Sequence, residues 1–206
     1  GVTFNLKSNF VILFVMYLVF KRLFDQLVSF VILLFLFPFL MLVALLIKLD
    51  SKGPIFYLQN RVGKDGYLFG VYKFRTMTDM ERDPNVKQTY LQDPDITRIG
   101  GFLRRFKIDE LPQIWNVFIG DMSLVGPRPA LPSLYEKFGE IAKKRCEVRP
   151  GMTGWAQVNG NIYLPWEERL CLDREYVDRM SFMLDLRILV KTVAIVLFGE
   201  EKYIKK

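Results

Sequence analysis

The sequence predicts a mainly helical α+β protein: a re-entrant membrane helix broken at a proline, a small β-hairpin, and interfacial helices around an adjacent Asp–Glu pair. Three observations carry this expectation. No residue from Leu27 to Ile47 is charged. Two short strand-like runs flank Gly63-Lys64-Asp65-Gly66, which is strong turn chemistry. Beyond Thr97, stretches of helical length alternate with clusters rich in Gly and Pro.

The uncharged run is about 21 residues, or roughly 31 Å as a helix. It is apolar on all faces, which sets it apart from a surface helix, and it is too long for a signal peptide. Pro38 lies in its middle. Having no N–H, it deprives the Leu34 carbonyl of its helical partner, and its ring crowds that carbonyl. Lys21 and Arg22 precede the run, and Lys48, Lys52 and Lys64 follow it. Basic residues on both flanks place both on the cytoplasmic side. A helix that bends and returns satisfies the proline and the charges together; a kinked full span is the alternative. Phe10 to Phe20 is a second, shorter apolar stretch. The chain therefore divides into an N-terminal apolar extension (1–20), a re-entrant membrane helix (21–49) and a cytoplasmic-face domain (50–206), where any catalytic residues must lie. Gly1, standing where a Met would open a chain, is set aside.

The remaining elements follow in order. Pro54 to Leu58 and Tyr67 to Phe74 read as strands. Met77 to Asp95, with Asp83-Pro84 and Asp93-Pro94, reads as loop. Helices are expected over Thr97–Arg105, Glu110–Phe118, Ser133–Arg145 and Trp166–Met180, with a loop from Gly120 to Pro132. Ser181 to Phe198 is an apolar helix carrying Asp185, Arg187 and Lys191, suited either to the membrane interface or to core packing.

Across 206 residues there are 29 Lys and Arg against 22 Asp and Glu, a net charge of +7. That balance suits nucleic acid, anionic lipid, a phosphorylated substrate or simply a solvated basic face. There is no histidine, which removes the commonest general base and zinc ligand. Cys146 and Cys171 are too far apart for a local metal motif and read as unpaired thiols in a reducing compartment. Catalysis is left to carboxylates, Lys, Arg, Tyr or Ser. No phosphate-binding G-x-x-x-x-G-K-[ST], G-x-S-x-G or H-E-x-x-H motif is present.

The densest chemical cluster is Arg104-Arg105-Phe106-Lys107-Ile108-Asp109-Glu110-Leu111-Pro112-Gln113. Pro112 fits a first helical turn, so Asp109 falls at or near a helix N-terminus. It could simply cap that helix. The same free N–H groups and cations also bind phosphate and keep a carboxylate ionised, as a nucleophile requires. Pro127-Arg128-Pro129 holds Arg128 in a stiff, extended segment. In the stretch Arg149 to Gly160, closely spaced glycines would let backbone approach a ligand, and Trp155 would stack on a base or fill the core. Asp93-Pro94-Asp95 has the form of a metal-holding pair on a loop.

Taken in order, these segments resemble the monotopic phosphoglycosyl transferases of the bacterial sugar transferase family. The resemblance runs from Lys21-Arg22-Leu23-Phe24-Asp25 through Gly53-Pro54-Ile55-Phe56, Gln59-Asn60-Arg61-Val62-Gly63 and Tyr72-Lys73-Phe74-Arg75-Thr76-Met77. It continues through Ile108 to Gln113, Gly120-Asp121-Met122-Ser123 and Val125 to Pro129, and closes at Arg149 to Gly154. It implies a magnesium ion at an Asp109–Glu110 dyad, with Asp109 attacking the β-phosphate of a UDP-sugar and UMP leaving. The phospho-sugar then passes from Asp109 to a polyprenyl (undecaprenyl) phosphate. Arg104 and Arg128 would hold phosphates; Lys73, Arg75, Arg149 and Gln157 complete the implied substrate-binding set. The implied setting is the cytoplasmic face of a bacterial inner membrane, among phospholipids, without nucleic acid and with homo-oligomerisation left open. Larger members carry spanning helices and a further domain upstream, so this sequence reads as a minimal form or a shortened chain. Two other readings stand beside it: a metal-dependent glycosyltransferase using Asp93 and Asp95, and a non-catalytic basic membrane scaffold.

Overall fold

The computed structural model describes residues 2–78 and 93–198. Most of the expected loop from Met77 to Asp95, Asp83-Pro84 included, lies outside them. The described elements are α1 (Val2–Asp50), β1 (Phe56–Val62), β2 (Leu68–Phe74), α2 (Arg98–Arg105), α3 (Gln113–Ile119), β3 (Ser123–Val125), α4 (Pro132–Arg145), β4 (Gly151–Thr153), α5 (Trp155–Val158), α6 (Trp166–Arg179) and α7 (Phe182–Phe198). The chain is mainly helical, as its sequence predicts.

α1 is long and apolar enough, from Ile12 to Asp50, to cross a membrane. At Pro38 the helix does not end: it runs on through that residue, and an internal proline bends a helix more often than it stops it. Proline costs one backbone hydrogen bond and some crowding. Leaving the helix there would unpair several backbone groups, which an apolar medium penalises far more. The foreseen boundary between residues 20 and 21 likewise falls inside this one helix.

Two separate parts of α1 pack on the globular part. Leu18, Phe24, Val28 and Ile32 join the main core around Ile114, Val117, Met122, Val125, Tyr176 and Ile188. Val43, Ala44 and Ile47 form a second core with Phe74 and Leu103. Between them Leu34, Phe35 and Phe37 are exposed. Polar bonds fix both contacts. Arg22 donates from Nη1 to the Val117 carbonyl at 2.7 Å and from Nη2 to the Phe118 carbonyl at 2.9 Å, closing the C-terminal end of α3, where carbonyls lack helical partners. Asp25, buried, accepts from Ser123 Oγ at 2.7 Å and from the Leu124 N–H at 3.2 Å. At the far end, Asp50 Oδ2 accepts from the Ile99 N–H at 3.0 Å, within the first turn of α2.

β1 and β2 form the expected antiparallel hairpin, with Phe56 opposite Phe74 and Val62 opposite Leu68. The turn Lys64–Gly66 carries positive φ at Asp65 and Gly66, which explains the Asp-Gly dipeptide. β1 runs to Val62, past the Leu58 end read from sequence, because its outer residues alternate between half-buried and exposed rather than between apolar and polar. Buried Asn116 ties α3 to β2: its Oδ1 accepts from the Tyr72 N–H at 3.0 Å and its Nδ2 donates to the Gly70 carbonyl at 2.8 Å.

The Gly120–Pro132 loop contains an unforeseen element. β3 pairs in parallel with β4, Ser123 opposite Gly151 and Val125 opposite Thr153. A ladder of three residues leaves no periodic signal, and it depends on glycines. A Cβ on Gly151 would stand 2.0 Å from the Gly126 nitrogen, and one on Gly154 would stand 2.1 Å from the Gly126 carbonyl oxygen. These glycines let backbone approach backbone, which corrects the expectation of a ligand there.

α7 packs one face on the core, the second of the roles foreseen, and leaves an apolar face exposed. Asp185 and Ile188 are buried, while Met183, Val190, Val193 and Leu197 are exposed. Asp185 joins three helices, accepting from Tyr17 (2.8 Å), Lys21 (2.6 Å) and Tyr176 (2.7 Å).

Candidate active site

Asp109 and Glu110 lie in a single 3-10 turn, Ile108–Glu110, between α2 and α3. Lys107 enters it with φ 55°, a left-handed conformation that reverses the chain after α2. Pro112 directly precedes α3 and no side chain caps that helix, so Asp109 is not an N-cap. Its carboxylate is left for another task.

The two carboxylates have opposite surroundings. Glu110 Oε1 accepts from Lys73 Nζ at 3.0 Å and from Arg128 Nη2 at 2.5 Å. Burial disfavours its charge, but Arg128 and Lys73 outweigh burial and hold its carboxyl far below the usual carboxylate range. Asp109 has no side-chain hydrogen bond or ion pair among the described residues. Burial, and then the Glu110 charge, raise its pKa, while Lys73 and Arg104 pull it back. Arg104 itself donates from Nε to Thr76 Oγ1 at 2.8 Å, with burial lowering its pKa against the pull of Asp109 and Asp93.

The dyad opens into a cavity of about 410 Å³. Arg61, Arg104, Lys107, Arg128, Arg145 and Arg169 line it and outnumber its carboxylates, Asp109, Glu110 and Asp173. Gln157, Asn161, Ile162 and Trp166 form the far wall. A larger cavity, about 870 Å³, lies between the first half of α1 and the end of α6 and contains neither Asp109 nor Glu110.

Of the residues expected in the site, Asp109, Glu110, Arg104, Arg128 and Gln157 line one cavity, and Lys73 reaches it through Glu110. Two are placed elsewhere. Arg75 is buried, with its guanidinium donating to the Ser51 carbonyl at 2.7 Å, to Ser51 Oγ at 2.9 Å and to the Lys52 carbonyl. It fastens the end of α1. Arg149 donates to the Gly120 carbonyl at 2.9 Å and lines the larger cavity. Neither faces the dyad, so their substrate-binding role is not carried forward. Trp155 is half-buried against the main core, with Lys191 over its ring.

Asp93 Oδ1 accepts from the Asp95 N–H at 3.3 Å, a local turn. Among the described residues no three His, Cys, Asp or Glu side chains gather as a metal cage. A magnesium ion needs no such cage, since it is commonly held by one or two carboxylates with water and substrate phosphates. Asp109, the carboxylate left without a side-chain partner, fits that requirement; Glu110, held by two cations, fits it less well.

Arg61, Arg145, Arg169 and Asp173 were not foreseen. Arg61 sits on β1 and donates to the Pro129 carbonyl at 3.1 Å and to Gln59 Oε1 at 2.8 Å. Burial and the Arg128 charge push its pKa down to about 10. Its place in Gln59-Asn60-Arg61-Val62-Gly63 was the available signal. Arg145 and Asp173 form a buried ion pair at 2.9 Å between α4 and α6, and Arg145 also donates to the Arg128 carbonyl. Burial pushes Asp173 up to about 6, against Arg145 and Arg169. Removing one partner of a buried pair leaves an uncompensated charge. Asp173→Ala is therefore expected to destabilise the protein by about 3–5 kcal/mol, read as a lowered denaturation midpoint in detergent.

A family model described as bacterial sugar transferase matches residues 16–199. The chain is 45% identical over 196 residues to the undecaprenyl-phosphate glucose phosphotransferase of Komagataeibacter xylinus, covering 89% of this chain and 37% of that protein. It is 47% identical over 189 residues to the exopolysaccharide production protein PSS of Rhizobium leguminosarum bv. phaseoli, covering 85% and 94%. With the uncharacterized sugar transferase EpsL of Bacillus subtilis (strain 168) the identity is 44% over 184 residues, covering 89% and 90%. The chain belongs to the bacterial sugar transferase family. It spans little more than a third of the first of these relatives and about nine-tenths of the other two.

Proposed function

We propose that this chain transfers a phospho-sugar from a UDP-sugar to a polyprenyl phosphate and releases UMP, through a covalent intermediate on Asp109. The observation that carries the reading is the split dyad: Glu110 is neutralised by Lys73 and Arg128, while Asp109 stands without a side-chain partner in a cavity rich in arginine. The relative from Komagataeibacter xylinus, named for glucose phosphotransfer to undecaprenyl phosphate, supports the substrate classes.

The chemistry follows in two displacements. The ionised Asp109 oxygen attacks the β-phosphorus, a P–O bond forms, and the bond to the α-phosphate oxygen breaks, so UMP departs with that electron pair. The product is an acyl phosphate carrying the sugar. An oxygen of the polyprenyl phosphate then attacks the same phosphorus and the bond to Asp109 breaks, which restores the carboxylate and yields a polyprenyl diphosphate sugar. Two easier steps replace one difficult one. Arg104 and Arg128 neutralise phosphate oxygens where water is scarce and such contacts are strong. A magnesium ion bound at Asp109 would offset repulsion between that carboxylate and the diphosphate.

The same reading puts the enzyme at the cytoplasmic face of a bacterial inner membrane, with α1 bending at Pro38 so that it enters and leaves by one face. Arg22 and Asp50, near the two ends of the apolar run, both bond to the one globular unit, which supports this. Phe20 and Lys52 are exposed beyond either end of the apolar run. Cysteines introduced there should react with an impermeant maleimide from the same side in oriented vesicles. Modification from opposite sides would rule out the returning helix. For the reaction itself, the test is UMP release from a panel of UDP-sugars with polyprenyl phosphate; release of UDP would overturn it.

A further inference from the structure

The part of the 410 Å³ cavity around Arg128 gathers several cations. Arg61 is largely buried yet donates only to a carbonyl and an amide, and no carboxylate pairs with it among the described residues. Arg169, which lines the same cavity, lies over the Trp166 ring at 4.7 Å and donates to the Leu164 and Ile162 carbonyls, each at 2.8 Å. Nη1 of Arg169 has no partner among the described residues. Both arginines are close enough to Arg128 to feel its charge, offset in part by Glu110 for Arg61 and by Asp173 for Arg169. Beside them, Gln157 Oε1 is buried without a hydrogen-bond donor, while its Nε2 is spent on the Met152 carbonyl at 3.0 Å.

Clustered like charges and an orphaned acceptor are costly in a protein interior. An anion bearing its own hydrogen-bond donors removes both costs. The reacting phosphorus must lie against Asp109, so the group on this wall is a different part of the same donor.

We propose that Arg61, Arg169 and Gln157 form the subsite for the departing nucleoside monophosphate: the arginines take the α-phosphate, and Gln157 turns its buried Oε1 into the cavity to accept from the ribose or base. This deepens the proposed function and rests on it. As the P–O bond to the α-phosphate breaks, negative charge grows on the oxygen that leaves. Fixed cations there stabilise the transition state more than the bound donor. The sugar is then left to the opposite side of the dyad.

The test uses the full chain in detergent with UMP and, separately, glucose 1-phosphate as probes in calorimetric titration. Arg61→Lys, Arg169→Ala and Gln157→Leu are each expected to weaken UMP binding by about tenfold or more, since each loses a strong or buried hydrogen bond. Glucose 1-phosphate binding should change by less than about twofold, being held elsewhere. Unchanged UMP affinity in Arg169→Ala and Gln157→Leu overturns the subsite. So does an equal or larger loss for glucose 1-phosphate, which would assign the wall to the sugar. Arg61 also braces the Pro129 segment; should its variant unfold, the other two decide alone. If the wild-type chain releases UDP instead of UMP, the proposed function fails. If it releases UMP but the variants bind UMP normally, only this subsite fails.

Discussion

Asp109→Asn is expected to abolish UMP release, to below about one part in a thousand of the parent rate, because the variant has no nucleophilic oxygen to offer. The amide is nearly isosteric, and Asp109 has no side-chain partner to lose among the described residues, so the denaturation midpoint should hardly move. Loss of rate without loss of fold separates a nucleophile from a structural acid. Mass spectrometry of the parent, incubated with donor and no acceptor, should find a sugar-phosphate adduct on the peptide containing Asp109. Retained turnover in the variant, or no adduct in the parent, would refute the covalent route. The pH profile gives a second signature. Attack needs the ionised carboxylate, and burial together with Glu110 raises the Asp109 pKa above the ordinary value. As pH falls, Asp109 takes up a proton earlier than a free aspartate would, so the acid limb of kcat/KM should lie above the usual aspartate range.

The second large effect is structural. Gly151→Ala places a Cβ 2.0 Å from the Gly126 nitrogen and 2.4 Å from the Thr153 carbonyl oxygen. Both neighbours are backbone, so no side chain can swing aside. β3 and β4 must separate, and Pro127-Arg128-Pro129, which follows β3, moves with them. A loss of about 3 kcal/mol or more is expected, the range for overpacking that shifts backbone. Denaturation in detergent reads it directly. The contrast is Gly101→Ala inside α2, where the nearest atom to the added carbon, Ile96 Cγ2, is 3.8 Å away; alanine suits a helix interior better than glycine, by about 1 kcal/mol. Equal midpoints for the two variants would show that the parallel pair is not tight.

The sequence revealed what is local. The uncharged run, the hairpin turn at Asp65-Gly66 and the polar-to-apolar rhythm of α6 each leave a signal within a few residues. The dyad was legible for the same reason: five ionisable side chains crowd Arg104 to Glu110. What stayed hidden depends on contacts far along the chain. Arg75 and Arg104 look alike in sequence. One is drawn onto Ser51 and Lys52 and the other onto Thr76 beside the dyad. Arg61 comes to Arg128 only because β1 bridges to Ala130, where Val62 donates to its carbonyl at 2.9 Å. The β3–β4 pair is three residues long and has no period to read. Pro38 was legible only in part: its place in the apolar run is plain in the sequence, but the helix is carried through it rather than ended.

Arg22 has one further implication. It grips α3 from behind, at the carbonyls of Val117 and Phe118, while the turn carrying Asp109 and Glu110 sits just ahead of the same seven-residue helix. A rod of about 10 Å, at 1.5 Å per residue, is thus bolted to α1 at one tip and to the Asp109–Glu110 pair at the other. The specific information in α1 is concentrated in a few positions such as Arg22, Asp25 and Asp50, and the exposed leucines and phenylalanines between them are interchangeable grease. Such an anchor can drift freely in composition across bilayers of different lipids, so long as those few handholds keep their spacing.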